Sequence, residues 1–382
     1  MGGRGARCGA RRRDVGGVRG APVGRCLRSV ARHAMQRVVR PGALAARSAL
    51  VALALTGSLV PPLASAAVLV VGPGEDFTRV RDAARAVRDG DTVIIKGGVY
   101  EADYAVWSAD NLGILGEGEV VLRAGPEPIP NGKAIWVIRG RNTKIVNVTF
   151  ERAKVRDLNG AGIRLERGSL TVERCRFRYN EMGILTAGGD DMALTIRDSK
   201  FAYNTQDYER TGRLGHNVYV GRVGRFELVA SEILGANTGH NVKSRARRST
   251  IAGNRIHDEG TARASYQIDL PNGGVATIEN NTVVQGAAAP NVNLVSFGAE
   301  SNPHPEHHLT VRGNTFIGRG GRAVAVMNHL PEAEVTMEDN RFEGITVRYL
   351  GGWILEWLKK LDALFARGHS AASSDHALGA TL

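Results

Sequence analysis

TIAGNRIHDEGTARASYQIDLPNGGVATIENNTV, residues 250–283, opens and closes on the same phrase, Thr-Ile-x-x-Asn-x-aliphatic, 27 residues apart. Working outward, six more segments end in the same way: IVNVTF at Phe150, TVERCRF at Phe177, TIRDSKF at Phe201, LVASEI at Ile233, TVRGNTF at Phe316 and TMEDNRF at Phe342. The eight terminal positions are 27, 24, 32, 23, 27, 33 and 26 residues apart. A period of this size with strand-like alternation predicts a solenoid, in which each turn of chain buries its apolar face only by stacking on its neighbours. The two longest intervals predict loop insertions, at 205–215 and 300–308, and inserted loops of a solenoid commonly line one face.

Two residues before each terminal position stand Val148, Cys175, Ser199, Ser231, Asn254, Asn281, Asn314 and Asn340. Four consecutive Asn predict an amide ladder running through the stack. Cys175 falls in that column and is expected to be a buried, inert thiol. A second series lies between these strands: GIRLE from Gly162, GILTA from Gly183, HNVYVG from His216, HNVKSR from His240, YQIDLP from Tyr266, VNLVSF from Val292 and AVAVMNH from Ala323. Aligning Val218, Val242 and Ile268 as inward residues puts Tyr219, Lys243 and Asp269 in one outward column. Asn217, Asn241 and Gln267 are expected in the column beside it, with His216, His240 and Tyr266 one residue further back. Simple alternation along 240–244 puts Asn241, Lys243 and Arg245 on one face.

The helical spacing of Phe77, Val80, Ala83, Ala84 and Val87 predicts a short helix before the strand-like GDTVIIKGGVY of 90–100. That order resembles the N-terminal cap and first coil of right-handed parallel β-helix proteins of the pectate-lyase-like superfamily. The fold class is therefore all-β, a single-stranded right-handed parallel β-helix over 67–345 with short capping helices at both ends. The C-terminal cap is expected over 346–367, where Trp353, Ile354, Trp357, Leu358, Leu361, Leu364 and Phe365 form an apolar helical stripe, and 368–382 reads as a flexible tail.

The formal charge of +12 is concentrated at the start: 1–66 holds twelve arginines against Asp14 alone, leaving about +1 on the rest. A basic nucleic-acid footprint on the folded part is thereby excluded. From Met35 the chain reads as a secretory signal, with Arg37 and Arg40, an apolar run over 49–60 and Ala64-Ser65-Ala66 as cleavage site. Residues 1–34 read as a mis-assigned start or a leader. A secreted or periplasmic protein without a stable membrane span after cleavage is expected, favoured as a monomer. Only Cys175 remains beyond the leader, so no internal disulfide can form.

The densest polar chemistry lies over 239–274. Lys243, with Arg245, Arg247 and Arg248 nearby, is the candidate general base, since neighbouring cations favour a neutral amine. Asp269, one coil away, opposes this by offering an ion pair. The Asn241-Val242-Lys243-Ser244 segment with the following Asn254 turn resembles the lysine motif of the chondroitinase B and alginate lyase family. That resemblance implies lyase-type β-elimination on a uronic-acid-containing glycan, an acidic polysaccharide. It implies Lys243 as base, and the chemistry of elimination then calls for Arg245 as neutraliser of the carboxylate and Tyr219 or His240 as acid. His216, Asn217, Asn241, Tyr266, Gln267, Asp269, Asn272, Asn293 and Glu300 are the expected substrate contacts. Where the family carries an assisting arginine on the next coil, this chain has Asp269. A C5-epimerase of the same glycan class and a non-catalytic carbohydrate-binding β-helix are the alternatives. No cofactor is required, though Ca2+ held by Glu300, Asp258 or Glu259 is a candidate. His304, His307 and His308 read as an exposed loop rather than a zinc site.

Overall fold

The computed structural model describes residues 66–258, 260–351 and 354. The expectations for 1–34, for the signal segment up to residue 65 and for the apolar stripe of the C-terminal helix other than Ile354 lie outside the described residues. Among the described residues, no helix is long and apolar enough to cross a membrane.

The described chain is built almost wholly from parallel strands. Residues Val80–Ala86 form the expected helix, with Val80, Ala83 and Ala84 turned inward against the first strands. Thr92–Glu101 and Gly113–Arg123 then bend through two faces, and their register shifts between Lys96 and Gly98 at the glycine pair. Gly113–Leu115 pairs with the strand Thr143–Val146, whereas Val121–Arg123 pairs with Thr149–Glu151. This bend joins two faces into one hydrogen-bonded sheet of nineteen strands, and a separate sheet of ten forms the third face.

The repeat predicts the register. Phe150, Phe177, Phe201, Ile233, Ile256, Val283, Phe316 and Phe342 are all cross-strand partners in that order. Phe150, Phe177 and Phe201 stack with ring centroids 5.1 and 4.5 Å apart, close to the strand spacing that a parallel ladder imposes. The polar column behaves as expected too. Asn254 Nδ2 donates to Asn281 Oδ1 at 3.0 Å, Asn281 Nδ2 to Asn314 Oδ1 at 2.9 Å and Asn314 Nδ2 to Asn340 Oδ1 at 3.0 Å. Cys175 is buried at the start of this column, and burial pushes its thiol up to about 12, so it is no nucleophile.

One boundary differs from expectation. Residues Val347–Leu350 form a strand paired with Val324–Asn328, so the solenoid continues past 345 and the expected helix cannot begin at 346. Its alternating Val347 and Tyr349 continue the stack, and pairing with an open sheet edge satisfies backbone groups that a helix start would leave exposed. Around 250–256, a turn at Gly253-Asn254 divides the run into the strands Arg248–Ala252 and Arg255–His257, one on each face of the larger sheet.

Candidate active site

The sheet of ten positions the site. Leu185, Tyr219, Lys243, Asp269 and Ser296 are successive cross-strand partners, so the outward column is real and longer than its three predicted members. Extended toward the N-terminus, the same column continues from Leu185 to Arg164. Two Gly-His-Asn triplets, 215–217 and 239–241, lead into adjacent strands and stack closely. A Cβ on Gly239 would lie 1.6 Å from the carbonyl oxygen of Gly215, which is why glycine stands there.

Lys243 projects outward but is nearly enclosed. Its Nζ donates to Glu300 Oε1 at 2.7 Å and lies 3.2 Å from Asp269 Oδ2. Arg245, just beyond the strand end, donates from Nη2 to Glu300 Oε2, from Nη1 to Asn272 Oδ1 at 2.8 Å and from Nε to the Tyr219 hydroxyl at 3.2 Å. Both cations therefore grip one carboxylate, that of Glu300, on the inserted loop. Burial opposes ionisation of Glu300, but the hydrogen bonds from Lys243 and Arg245 outweigh it and hold the carboxyl below its ordinary range. Asp269 is the converse case. Burial pushes its carboxyl up despite the Lys243 contact, and the charge of Glu300 adds to the rise.

His216, His240 and Tyr266 form the expected ring column, with centroids 4.9 and 5.0 Å apart. The backbone N–H of His240 donates to His216 Nδ1 at 3.0 Å, which fixes a neutral His216 ring with its remaining proton on Nε2. Burial, and after it the charges of Lys243 and Arg245, pushes His216 down to about 3. Burial likewise holds His240 well below the usual histidine range, followed by its neighbours His216 and Lys243. Its Nε2 lies 3.5 Å from Asp269 Oδ2, and its buried Nδ1 meets no partner among the described residues. Tyr266 is held protonated by burial and then by the charge of Asp269.

Three expected sugar contacts are corrected. Asn217, Asn241 and Gln267 are fully buried and point inward, not into an outward column. Asn217 Nδ2 donates to Asn241 Oδ1 at 2.7 Å, Asn241 Nδ2 to Gln267 Oε1 at 2.7 Å and Gln267 Nε2 to Asp258 Oδ2 at 2.9 Å. With Asn180 and Asn204 they make a second interior amide ladder, whose polar atoms are spent on one another. The backbone turns a corner ahead of Val242 and Ile268, so alternation fails there. Asn241 accordingly does not share a face with Lys243.

Other expected contacts have other partners. Asn272 is buried and ties Arg245 to the carbonyls of Ser301 and Asn302, which makes it a positioning residue for the inserted loop. Asn293 and Ser296, on one strand, are buried, and Asn293 Oδ1 and Ser296 Oγ have no hydrogen-bond partner among the described residues. Sequence reasoning missed Ser296 and Arg164, although both follow from carrying the Tyr219 column one or two coils further in each direction.

The expected calcium ligands are dispersed. Glu300 is engaged by the two cations, and Asp258 ends the amide ladder while accepting from the backbone N–H groups of Ala264 and Gly286. Glu259 lies outside the described residues. His304 Nε2 meets the Arg245 carbonyl at 3.1 Å, His307 Nδ1 accepts from Gly274 N and His308 pairs with Glu334, so the three rings do not converge. Among the described residues, no group of three or more His, Cys, Asp or Glu side chains could hold a metal ion.

Residues 183–357 match the family model described as "Right handed beta helix region". The chain is a right-handed parallel β-helix protein. This β-helix is similar to ORF18 of Geobacillus virus E2, at 14% identity and a TM-score of 0.42, covering 68% of this chain and 53% of the other. The chain thus spans about half the length of that viral protein. It is also similar to an alginate lyase from Paenibacillus sp. str. FPU-7, at 14% identity, a TM-score of 0.48 and coverage of 75% and 98%, and to the pectate lyase Pel9A, at 13% identity, a TM-score of 0.47 and coverage of 73% and 79%. No curated protein matches the chain. At such identities the chemistry has to be read from this chain's own residues.

Proposed function

We propose that the groove around Lys243 acts on a uronic-acid-containing glycan, by β-elimination at a uronate whose carboxylate replaces that of Glu300. The observation that carries this reading is the paired grip of Lys243 and Arg245 on one carboxylate, beside the Tyr219 hydroxyl. Two cations on a uronate carboxylate stabilise the charge that develops when the C5 proton leaves. Held between the carboxylates of Asp269 and Glu300, Lys243 is an ammonium, which has no lone pair to offer a carbon acid, so it serves here as a cation and not as the base. Tyr219, whose oxygen accepts from Arg245 Nε, moves the proton. Its hydroxyl gives its own proton to the departing oxygen as the C4–O bond breaks, while the same oxygen takes the C5 proton and the C4–C5 double bond forms, so the phenol is restored. The neutral His240 and the protonated Tyr266 line the same place and orient the sugar. A polymeric substrate also agrees with the secretory reading of 35–66, since an exported protein meets glycans outside the cell.

A binding-only reading rests on the Lys243 contact with Asp269, which locks the amine to the frame. The full-length protein, incubated with alginate, glucuronan, pectate and glycosaminoglycans, separates the two by ultraviolet absorbance of an unsaturated uronate. A rise abolished by Tyr219→Phe and by Lys243→Ala, and reached at lower substrate concentration by Glu300→Gln, supports elimination. Glycan binding with no absorbance change rules out the lyase. Solvent deuterium exchange at C5 then separates an epimerase from a binding module.

A further inference from the structure

We propose that Arg164 is a second carboxylate-binding position in the same groove, taking a uronate several sugars away from the one gripped by Lys243 and Arg245. The inference rests on the acidic-glycan reading above and adds a length and charge requirement to it. Its first support is position. Arg164, Leu185, Tyr219 and Lys243 are successive cross-strand partners in one outward column. Three steps at the parallel-strand spacing span about 14 Å, so a ligand that touches both places must be an oligomer.

Its second support is the missing counterion. Lys243 and Arg245 both have carboxylate partners, whereas Arg164 makes no ion pair or hydrogen bond among the described residues, and its Nε is buried without a partner. The nearest acid on its own strand end, Glu166, is already engaged by Lys133 and Arg139. The third support is the surroundings. Val137, Met182 and Leu185 form a buried apolar cluster on this face, with Tyr219 packed against it. A half-buried guanidinium beside such a surface is poorly solvated, and burial lowers its affinity for the proton more than the field of Glu166, which makes no direct contact with it, raises it, although it stays charged. Desolvation of a charge without a partner is unfavourable for the free protein and makes an arriving anion worth more than it would be in water.

The test is isothermal calorimetry on the full chain with hexamers and dimers of mannuronate, galacturonate and glucuronate, and with the same hexamers methyl-esterified. For the acid hexamer that the wild type binds, Arg164→Gln should weaken binding about ten-fold and Arg164→Lys should recover part of it. The dimer and the esterified hexamer should bind both variants as they bind the wild type. The thermal midpoint should stay level or rise, because an unpaired charge has been removed. Unchanged hexamer affinity in Arg164→Gln overturns the assignment while leaving the glycan reading intact. A lowered midpoint with equally weakened dimer binding would make Arg164 structural. Failure of the wild type to bind any acid hexamer would remove both readings together.

Discussion

At the scale of single residues, the site is decided by which charges have partners. Lys243 and Asp269 are both nearly enclosed, with side-chain exposures of 10% and 3%. Breaking one half of such a pair leaves an uncompensated charge in a poorly solvated place. Lys243→Met should therefore destabilise the fold by about 3 kcal/mol, and adding Asp269→Asn should recover most of that loss. Urea denaturation of the wild type, both single variants and the double variant measures the coupling. Additive losses would mean that the two side chains act independently and that the ammonium is held by Glu300 alone.

At the scale of the elements, the strand ladder was legible from sequence because every coil repeats it. The column from Phe150 to Phe342 aligns residue for residue, and the Asn column beside it follows at a constant offset. The second amide ladder was misread for a physical reason. Asn241 and Gln267 sit just ahead of the strands that start at Val242 and Ile268, where two consecutive side chains can face inward, and Asn217 stacks on them from the strand His216–Val220. The inserted loop was foreseen from the long interval, but that Glu300 would return to Lys243 and Arg245 depends on a tertiary contact spanning 57 residues, which no local pattern encodes. Interior amides make their own prediction. Asn281 accepts from both the backbone N–H and the Nδ2 of Asn254, and it donates to Ile251 O and Asn314 Oδ1. Asn281→Ala strands several buried polar groups at once and should cost about 3 kcal/mol or more. Asn340→Ala, on a half-buried residue near the end of the ladder, should cost about 1 kcal/mol. Equal losses in chemical denaturation would show that the ladder does not act by satisfying buried groups.

At the scale of the whole molecule, stacked coils place buried histidines between layers, which couples stability to pH. His216 has a folded value of about 3 against an ordinary 6.5, and His240 is depressed in the same direction. Between those two values the unfolded chain binds protons that the folded coils refuse. Folding stability then rises with pH, so the contribution is complete above about 6.5 and is lost as the solution is acidified toward 3. The slope is at most about 1.4 kcal/mol per pH unit for each histidine, or about 2 kcal/mol for His216 alone between pH 6.5 and 5. Asp258 and Asp269 act in the opposite sense, because burial raises their carboxyls and the folded state then holds protons more tightly than the unfolded chain does. Their contribution opposes the histidine slope, and His216→Gln isolates the histidine part because both carboxyls are unchanged in the variant. Unfolding free energies measured at half-unit steps from about pH 7 to 5 should fall less steeply on acidification for His216→Gln than for the wild type. An identical slope in the variant would mean that His216 takes up protons as readily in the folded coils as in the unfolded chain, and would contradict the hydrogen bond it accepts from His240.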